Sequence, residues 1–568
     1  MAAVTLSALS WIPAANAERF HVVDFGAKGN GVTDDGPAIR NAIAAAVKAA
    51  PGAKVVFEPK RYRLKRTETA YHIDLQGVKG LTLEGNGAEL INNPWNSLVR
   101  LDRCEDVTVR GFVLDCDPLP FTQGTITGVD TAAGSFTLQI HEGYDNPVAV
   151  YREIDKNSPR WGWGVCIDPK ERRRKPTAAM HFHLQDVEEQ PDGGLRVMLA
   201  DRARRHASGL SQGDRFVFAL KYGPTDANIK VIRSRHCRLE NITFYTAKYG
   251  MTFGLFDNHG KITVRNAKIT FKPGSKHLIT TPKDGFHCKH NAVGPTIQGG
   301  MFEGLLDDTI NISVCPYWVR EDLGDNRYMI ADLAFLPRVG DRLMAYRPKP
   351  GTVTHGLIVK AIEPHETPSS MSGRWAVVTL NKPIPDLGLH EGSNLFPGGP
   401  RKLQFTGLYN LDAAGNHFVV RGNTFGPQRR HAILARASGG LIENNTITGV
   451  GGNGVRLGNE IGSFYEGPLP RNTVIRNNTF TNTYFDAIHI YTNGIDATAQ
   501  EMTIKSNRIT GWHTNPIDPR SAAAISLRNV VGAVIKDNEI GPSAAPEAVS
   551  VPIRLDNCKD VRMTDPDR

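Results

Sequence analysis

The sequence lacks any long hydrophobic run. None of its 568 residues fall in a stretch approaching the roughly 18 or more apolar residues that cross a bilayer as a helix, so no membrane span is expected. Cysteine is sparse: Cys104, Cys116, Cys166, Cys237, Cys288, Cys315 and Cys558 are the seven, with no C-x-x-C pair among them. That argues against a zinc site. An odd number cannot complete a disulfide framework, so these cysteines read as small core residues. Extreme charge is also absent. The formal net charge is +9 with 22% charged residues, a mild bias that suits solubility or an acidic or sulfated substrate. No nucleic-acid recognition motif accompanies it. Hydrophobic residues at 40% exclude a disordered chain.

At the start, AAVTLSALSWIPAANAERF is a short apolar stretch ending in Ala15-Asn16-Ala17. It has the form of a secretory h-region with a small-residue cleavage site, though without a basic n-region. Residues 1–17 are expected to be a signal peptide, and the protein to be secreted or periplasmic.

What the sequence does contain is self-similarity. FVVRGNTF, GLIENNTI, TVIRNNTF, MTIKSNRI and AVIKDNEI carry matching Asn423, Asn445, Asn478, Asn507 and Asn538, at steps of 22, 33, 29 and 31 residues. Earlier segments such as LTLEGNGA, CRLENITF and KITVRNAKI read alike. Each is a short alternating strand, a polar turn and a further apolar residue. Such a unit cannot bury its apolar side alone, and stacked copies can. The step is too short for a propeller blade, and no helical period separates the strands. The expected fold is all-β, a right-handed parallel β-helix, with the Asn residues in a ladder at αL turns.

HVVDFGAKGNGVTDDGPAIRNAIAAAVKAA adds a strand, a Gly-rich loop and an Ala-rich helix that caps the stack, with Thr33 or Asp34 as N-cap. Two regions break the repeat, each with a Gly-Asp-Arg turn beside alternating strands, and both read as small antiparallel β-barrel insertions. The expected organisation is coils over 18–117, a barrel over 118–223, coils over 224–315, a second barrel over 316–400 and coils over 401–568.

A second strand column aligns YGMT at 249, DGFH at 284, DTIN at 308, HAIL at 431, NGVR at 453, DAIH at 486 and AAIS at 523. The third position, Met251 through Ile525, is always apolar and is expected to face inward. The fourth, holding Thr252, His287, Asn311, Leu434, Arg456, His489 and Ser526, faces out by strand alternation. Asp307 and Asp308 follow Asp284 by 23 and 24 residues, one coil, so all three acids are expected on one surface. Asp307 has outward parity and shares its position with Lys248, Lys283 and Arg430. Asp308, pressed against a like charge, is expected to hold a proton more readily. Carboxyls with separated pKa values suit acid/base cleavage of a glycosidic bond.

DGFH, then FEGLLDDTIN, then RHAILA and SFYEGP resemble, in that order and over most of the chain, the β-helical α-1,3-galactosidases of glycoside hydrolase family 110. The resemblance implies a glycan substrate, an inverting exo-acting mechanism without cofactor or metal, and Asp284, Asp307 and Asp308 as catalytic carboxylates. Among the matching segments it places His287, Asn311 and Arg436 as substrate contacts and Glu466 as a further contact or acid partner. Lys283, Arg456 and His489 join them from the outward column as substrate-binding candidates. The sequence departs from the family where Phe464 replaces Trp, and at Ser438 and Gly439. Additional basic residues, Lys283, Lys289, His290, Arg429 and Arg430, hint at an anionic glycan.

Two other readings stand beside this one. A β-helix polysaccharide lyase or epimerase would use Lys248, Lys283 or Arg430 as base and the three acids as Ca²⁺ ligands. A non-catalytic glycan-binding stalk would use the fold alone. The sequence leaves homo-oligomerisation open.

Overall fold

The structure is a computed structural model that describes residues 18–564 apart from 155–161, 333, 370, 372, 393, 400, 495–497 and 516–521. The signal peptide expected over 1–17 lies outside the described residues.

The chain is a right-handed parallel β-helix with two barrels inserted between coils. Its signature is the in-register stacking of short strands distant in sequence. One sheet stacks eleven parallel strands, running from Tyr71–Gln76 to Val551–Asp556. Along it Phe253, Phe286, Ile310, Ile433, Val455, Ile488 and Ile525 stand directly opposite one another. All are fully buried. The register differs from the sequence reading at one coil: Phe253, not Met251, pairs with Phe286, and Gly254, not Thr252, stands opposite His287. The slip is two residues. It preserves inward and outward parity and therefore left no trace in the apolar pattern.

The Asn ladder is present. The side-chain oxygen of Asn445 accepts from both the backbone N–H and the side-chain amide of Asn423, each at 3.0 Å. The same pair of bonds links Asn445 to Asn478, Asn478 to Asn507 and Asn507 to Asn538. The αL residue, however, is the one before each ladder position: Gly422, Asn444, Asn477, Ser506 and Asp537 all have φ between 54° and 61°. The turn is made by the first residue and satisfied by the second. Each buried amide finds a partner in the next coil, which removes the cost of burying it.

The helix Gly36–Ala49 covers the open end and buries Ile39, Ala42, Ile43 and Ala46. Asp35, rather than Thr33 or Asp34, is its N-cap, and its side chain makes no capping bond. It turns back into the Gly-rich loop, accepting from the backbone N–H of Lys28 at 2.6 Å and Gly29 at 3.2 Å.

Both insertions are antiparallel barrels. The first, from Phe121–Asp130 to Arg215–Ala219, closes through Trp163–Asp168. The second, beginning at Tyr317–Asp322, closes through Gly407–Asn410, past the boundary expected at 400. Neither disturbs the coils: Thr108 pairs with Arg238 across the first, and Ile310 with Ile433 across the second. All seven cysteines are free, six of them buried.

Candidate active site

The site grows from the turn entering two adjacent strands, Phe286–Lys289 and Ile310–Ser313. Beneath it the core is aromatic. Phe253 and Phe286 stack at 4.6 Å with rings 6° apart, and Phe302 meets Phe286 edge-on at 5.4 Å. Gly285 is required by the coil above: a Cβ there would lie 2.6 Å from the Thr309 carbonyl oxygen. Its absence lets the two turns, and the acids on them, approach.

Asp284, Asp307 and Asp308 each place a carboxylate oxygen within 4.8 Å of the other two. Burial, then the Asp307 charge, pushes the Asp284 carboxyl up to about 6, although it accepts from or pairs with His287 Nδ1 at 2.7 Å. The sequence put the readier proton on Asp308; the carboxyl that burial raises in the structure is that of Asp284. Asp308 is instead engaged by the backbone N–H of His431 at 3.2 Å and by Arg430 Nε at 3.3 Å.

Asp307 stands among three cations. Arg429 Nη2 lies 3.3 Å from it, Arg430 Nε 3.5 Å and Lys283 Nζ 3.9 Å. The first barrel completes this wall. Lys283 Nζ is 5.4 Å from the centre of the Trp163 ring and 5.2 Å from that of Tyr249, and Arg429 lies 5.0 Å from Trp163 on the same barrel. Trp163 Nε1 donates to the Tyr249 hydroxyl at 3.0 Å, and Arg429 donates to the Met180 carbonyl at 3.1 Å. His181, against Trp163 at 6.1 Å, is lowered to about 4 by burial and by Arg429. The aromatic faces and the carboxylate together fix where these cations point.

Three cations also bear on the metal reading. A divalent ion at the trio would have to displace Arg429 and Arg430 from carboxylates they already neutralise, and Arg429 is buried. The donor set is oxygen-rich as Ca²⁺ requires, but its charge is already compensated.

A second, separate cluster forms at Glu466. Lys289 Nζ is 2.9 Å from its carboxylate and Arg436 Nη2 is 3.3 Å away. The Asn311 amide donates to it at 3.3 Å, and Ser313 in turn donates to Asn311 at 3.1 Å. Burial would raise the Glu466 carboxyl, but Lys289 and then Arg436 override it and hold the group far below the usual carboxylate range. Glu466 therefore has no proton to give near neutral pH. The loop carrying it is locked: the Glu460 carboxylate accepts four backbone N–H bonds from Gly462, Ser463, Phe464 and Tyr465.

The outward column separates the remaining candidates. His287, Asn311, Leu434, Arg456 and His489 stand in register, so at about 4.8 Å per coil His489 lies about 19 Å from His287. Arg456 still reaches the trio's surroundings, with Nη1 3.2 Å from His431 Nε2. His489 instead pairs with Asp486 at 3.2 Å. The basic residues that hinted at an anionic glycan are occupied internally: Lys289 by Glu466, and Lys283, Arg429 and Arg430 by Asp307. His290 is buried and lowered to about 3, by burial and then by Lys289. Trp163, His181 and Tyr249 were missed as site residues. The barrel residues Trp163 and His181 lie outside the coil period, and only the Arg429-Arg430 pair, just before a column segment, signalled this wall.

Comparison with known proteins bears on the fold and on what the chain is similar to. The model of the right-handed β-helix region matches residues 406–565, and that of the rhamnogalacturonase A/epimerase, pectate lyase-like family matches residues 19–90. An α-1,3-galactosidase B of Bacteroides thetaiotaomicron is 23% identical over 82% of this chain and 76% of its own length. An α-1,3-galactosidase A of the same organism is 24% identical over 89% of this chain and 90% of its own. The chain is similar to the α-1,3-galactosidases along most of its length. Among solved structures, the A-module of the mannuronan C-5 epimerase AlgE4 of Azotobacter vinelandii covers 97% of this chain and 98% of its own, at 12% identity and a TM-score of 0.42. That likeness does not bear on activity.

Proposed function

We propose that this protein is a glycoside hydrolase that removes a terminal α-linked galactose, or a closely related sugar, from a glycan. The observation that carries the reading is the trio itself: three carboxyl groups within 4.8 Å, one of them raised to about 6, beside a fixed wall of cations. A carboxyl titrating at about 6 can carry a proton into the reaction, and a neighbouring carboxylate can take one from water. Those are the two things glycosidic cleavage needs, a proton for the departing oxygen and a base for water. The similarity to α-1,3-galactosidases supports the sugar and linkage.

In the proposed mechanism the pair Asp284–Asp307 divides the acid and base work. Their side chains keep 13% and 22% of their surface, against 5% for Asp308. Asp308, held by Arg430 and the His431 N–H, adds its charge beside Asp284. His287 orients Asp284. Asn311, Lys289 and Arg436 are held rigid by Glu466 and line the floor below the sugar. Water attacks the anomeric carbon while the proton passes to the glycosidic oxygen, and the configuration inverts. The nearest-atom separation of the trio is below the roughly 6.5–9.5 Å between carboxyls of an inverting pair, so sugar and water entering the site must part the acids.

The deciding experiment is product analysis on α-1,3-linked galactosides by NMR. Release of galactose first appearing as the β anomer supports an inverting galactosidase. An α anomer first would overturn inversion, and an unsaturated uronate absorbing in the ultraviolet would replace hydrolysis with lyase chemistry. Azide rescue of Asp284→Ala and Asp307→Ala identifies the base, since a small anion substitutes for a base and not for an acid.

A further inference from the structure

Beside the trio, on the N-terminal side of the same sheet, lies an open groove of about 740 Å³, in the size range of small-molecule sites. It adjoins the site on the neighbouring coil. Its floor includes Met251 and Phe256; Thr252, next to Met251, donates its backbone N–H to the Asp284 carbonyl at 2.9 Å, and the Phe256 ring is 6.2 Å from that of His287. Its far wall comes from the second barrel, through Phe335, Leu336 and Arg338. A chain leaving the trio in this direction would run into it.

The groove offers hydrogen-bond donors and few free acceptors. Five cations line it, Arg100, Lys230, Arg233, Arg338 and Arg374, against two acids, Asp226 and Asp257. Arg100 spends Nε and Nη2 on Asp74, at 2.7 and 2.6 Å. Arg233 spends the same two nitrogens on Asp102. Arg338 uses only Nη2, on Asp257 at 2.5 Å and toward His259 at 3.0 Å. The second terminal nitrogen of each guanidinium has no bonded partner among the described residues. Arg374, exposed on Arg374–Leu380, has no carboxylate within ion-pair reach there. The acids are used up: Asp226 accepts from Tyr71, Lys230 and the Ala227 N–H, and Asp257 accepts from Arg338.

A neutral sugar hydroxyl both donates and accepts, whereas a sulfate ester or a carboxylate only accepts. Guanidinium forks anchored on one edge and free on the other match acceptor-only oxygens. We propose that this groove is a binding subsite for a sugar bearing an anionic substituent, sulfate or carboxylate, on the glycan chain leading away from the scissile bond. The proposal rests on the hydrolase reading only for the position of that bond. The anionic preference comes from this groove and not from the basic residues around the trio, which are spent on the site's own acids.

The test uses the full chain carrying Asp307→Asn, so that ligands are bound and not consumed. Calorimetry compares a sulfated galactan tetrasaccharide, a uronate tetrasaccharide and a neutral galactan tetrasaccharide. At least one anionic ligand is expected to bind about tenfold or more tighter than the neutral one, and to weaken with added salt. Which of the two binds tells sulfate from carboxylate. Arg374→Gln, at an exposed position without a carboxylate partner, and Arg100→Gln should each erase several-fold of that preference, with a smaller loss for the neutral ligand. Equal affinity for all three ligands, or equal loss for charged and neutral ligands in both variants, overturns the proposal. Tight anionic binding by a wild-type chain that hydrolyses none of the panel would sustain the groove and refute the hydrolase reading. Hydrolysis of neutral galactosides with no anionic preference would do the reverse.

Discussion

Two buried carboxylate clusters sit side by side on this sheet, and they are built to opposite ends. At Glu466 one carboxylate meets Lys289, Arg436 and the Asn311 amide. At the trio three carboxyls share Lys283, Arg429 and Arg430. Both are removed from water and both are paired. The difference is stoichiometry. Where cations outnumber acids, the acid stays ionised and the cluster is a rivet. Where acids crowd together, burial and mutual repulsion leave one of them near its titration point, and the cluster can exchange a proton. Proximity to a cation alone therefore does not separate a structural carboxylate from a reactive one.

The largest expected effect breaks the trio. Asp284→Asn and Asp307→Asn should each lower kcat on the true substrate by about 10²–10⁴-fold, with native circular dichroism, because Asn is nearly isosteric. Steady-state kinetics on α-1,3-galactosides checks this. Full activity in both variants would move the chemistry elsewhere.

Breaking the rivet should act on stability instead. Glu466→Gln leaves Lys289 and Arg436 buried without a counter-charge, a loss of roughly 3–5 kcal/mol. Denaturant unfolding at neutral pH should show it, and the double variant Glu466→Gln with Lys289→Met should recover part. A Glu466→Gln chain as stable as the parent but without activity would make Glu466 a catalytic group.

Much of this contrast was legible in the sequence. The repeat of alternating strands and turn Asn residues sufficed for the coil, because stacking demands the same pattern at every step, and the one-coil spacing of Asp284 and Asp307 followed from it. Three things were not legible. Met251 was aligned where Phe253 belongs, because a two-residue slip conserves parity. The readier proton was placed on Asp308, because a sequence shows which acids adjoin and not which one the Arg430 side chain and the His431 N–H reach. Trp163 and His181 were hidden for a related reason. They reach the site from a barrel whose residues share no period with the coils.

A smaller effect tests the frame that carries both clusters. Asn478→Ala would strand the partners of one ladder rung, the Asn445 amide and the Ile442 carbonyl, at about 1–3 kcal/mol. Thermal unfolding should fall accordingly while kcat stays at the parent value. A loss of activity out of proportion to stability would mean that the ladder tunes the site across the coil.

The finest distinction is one of sign with pH. Asp284 is raised in the folded state, so its contribution to stability is complete below the unfolded carboxylate pKa and is lost as pH rises through about 6. Glu466 is depressed, so its contribution is present above the unfolded value and is lost only as the solution becomes strongly acidic. Asp284→Asn should therefore stabilise the protein at pH 8 relative to the parent and change little at pH 4. Glu466→Gln should destabilise at pH 8 and least at the acid end. Calorimetric unfolding across that range reads both. If Asp284→Asn destabilised the chain more at pH 8 than at pH 4, the Asp284 carboxyl would be as firmly ionised as Glu466, and the proton the trio needs would have to come from Asp307 or Asp308.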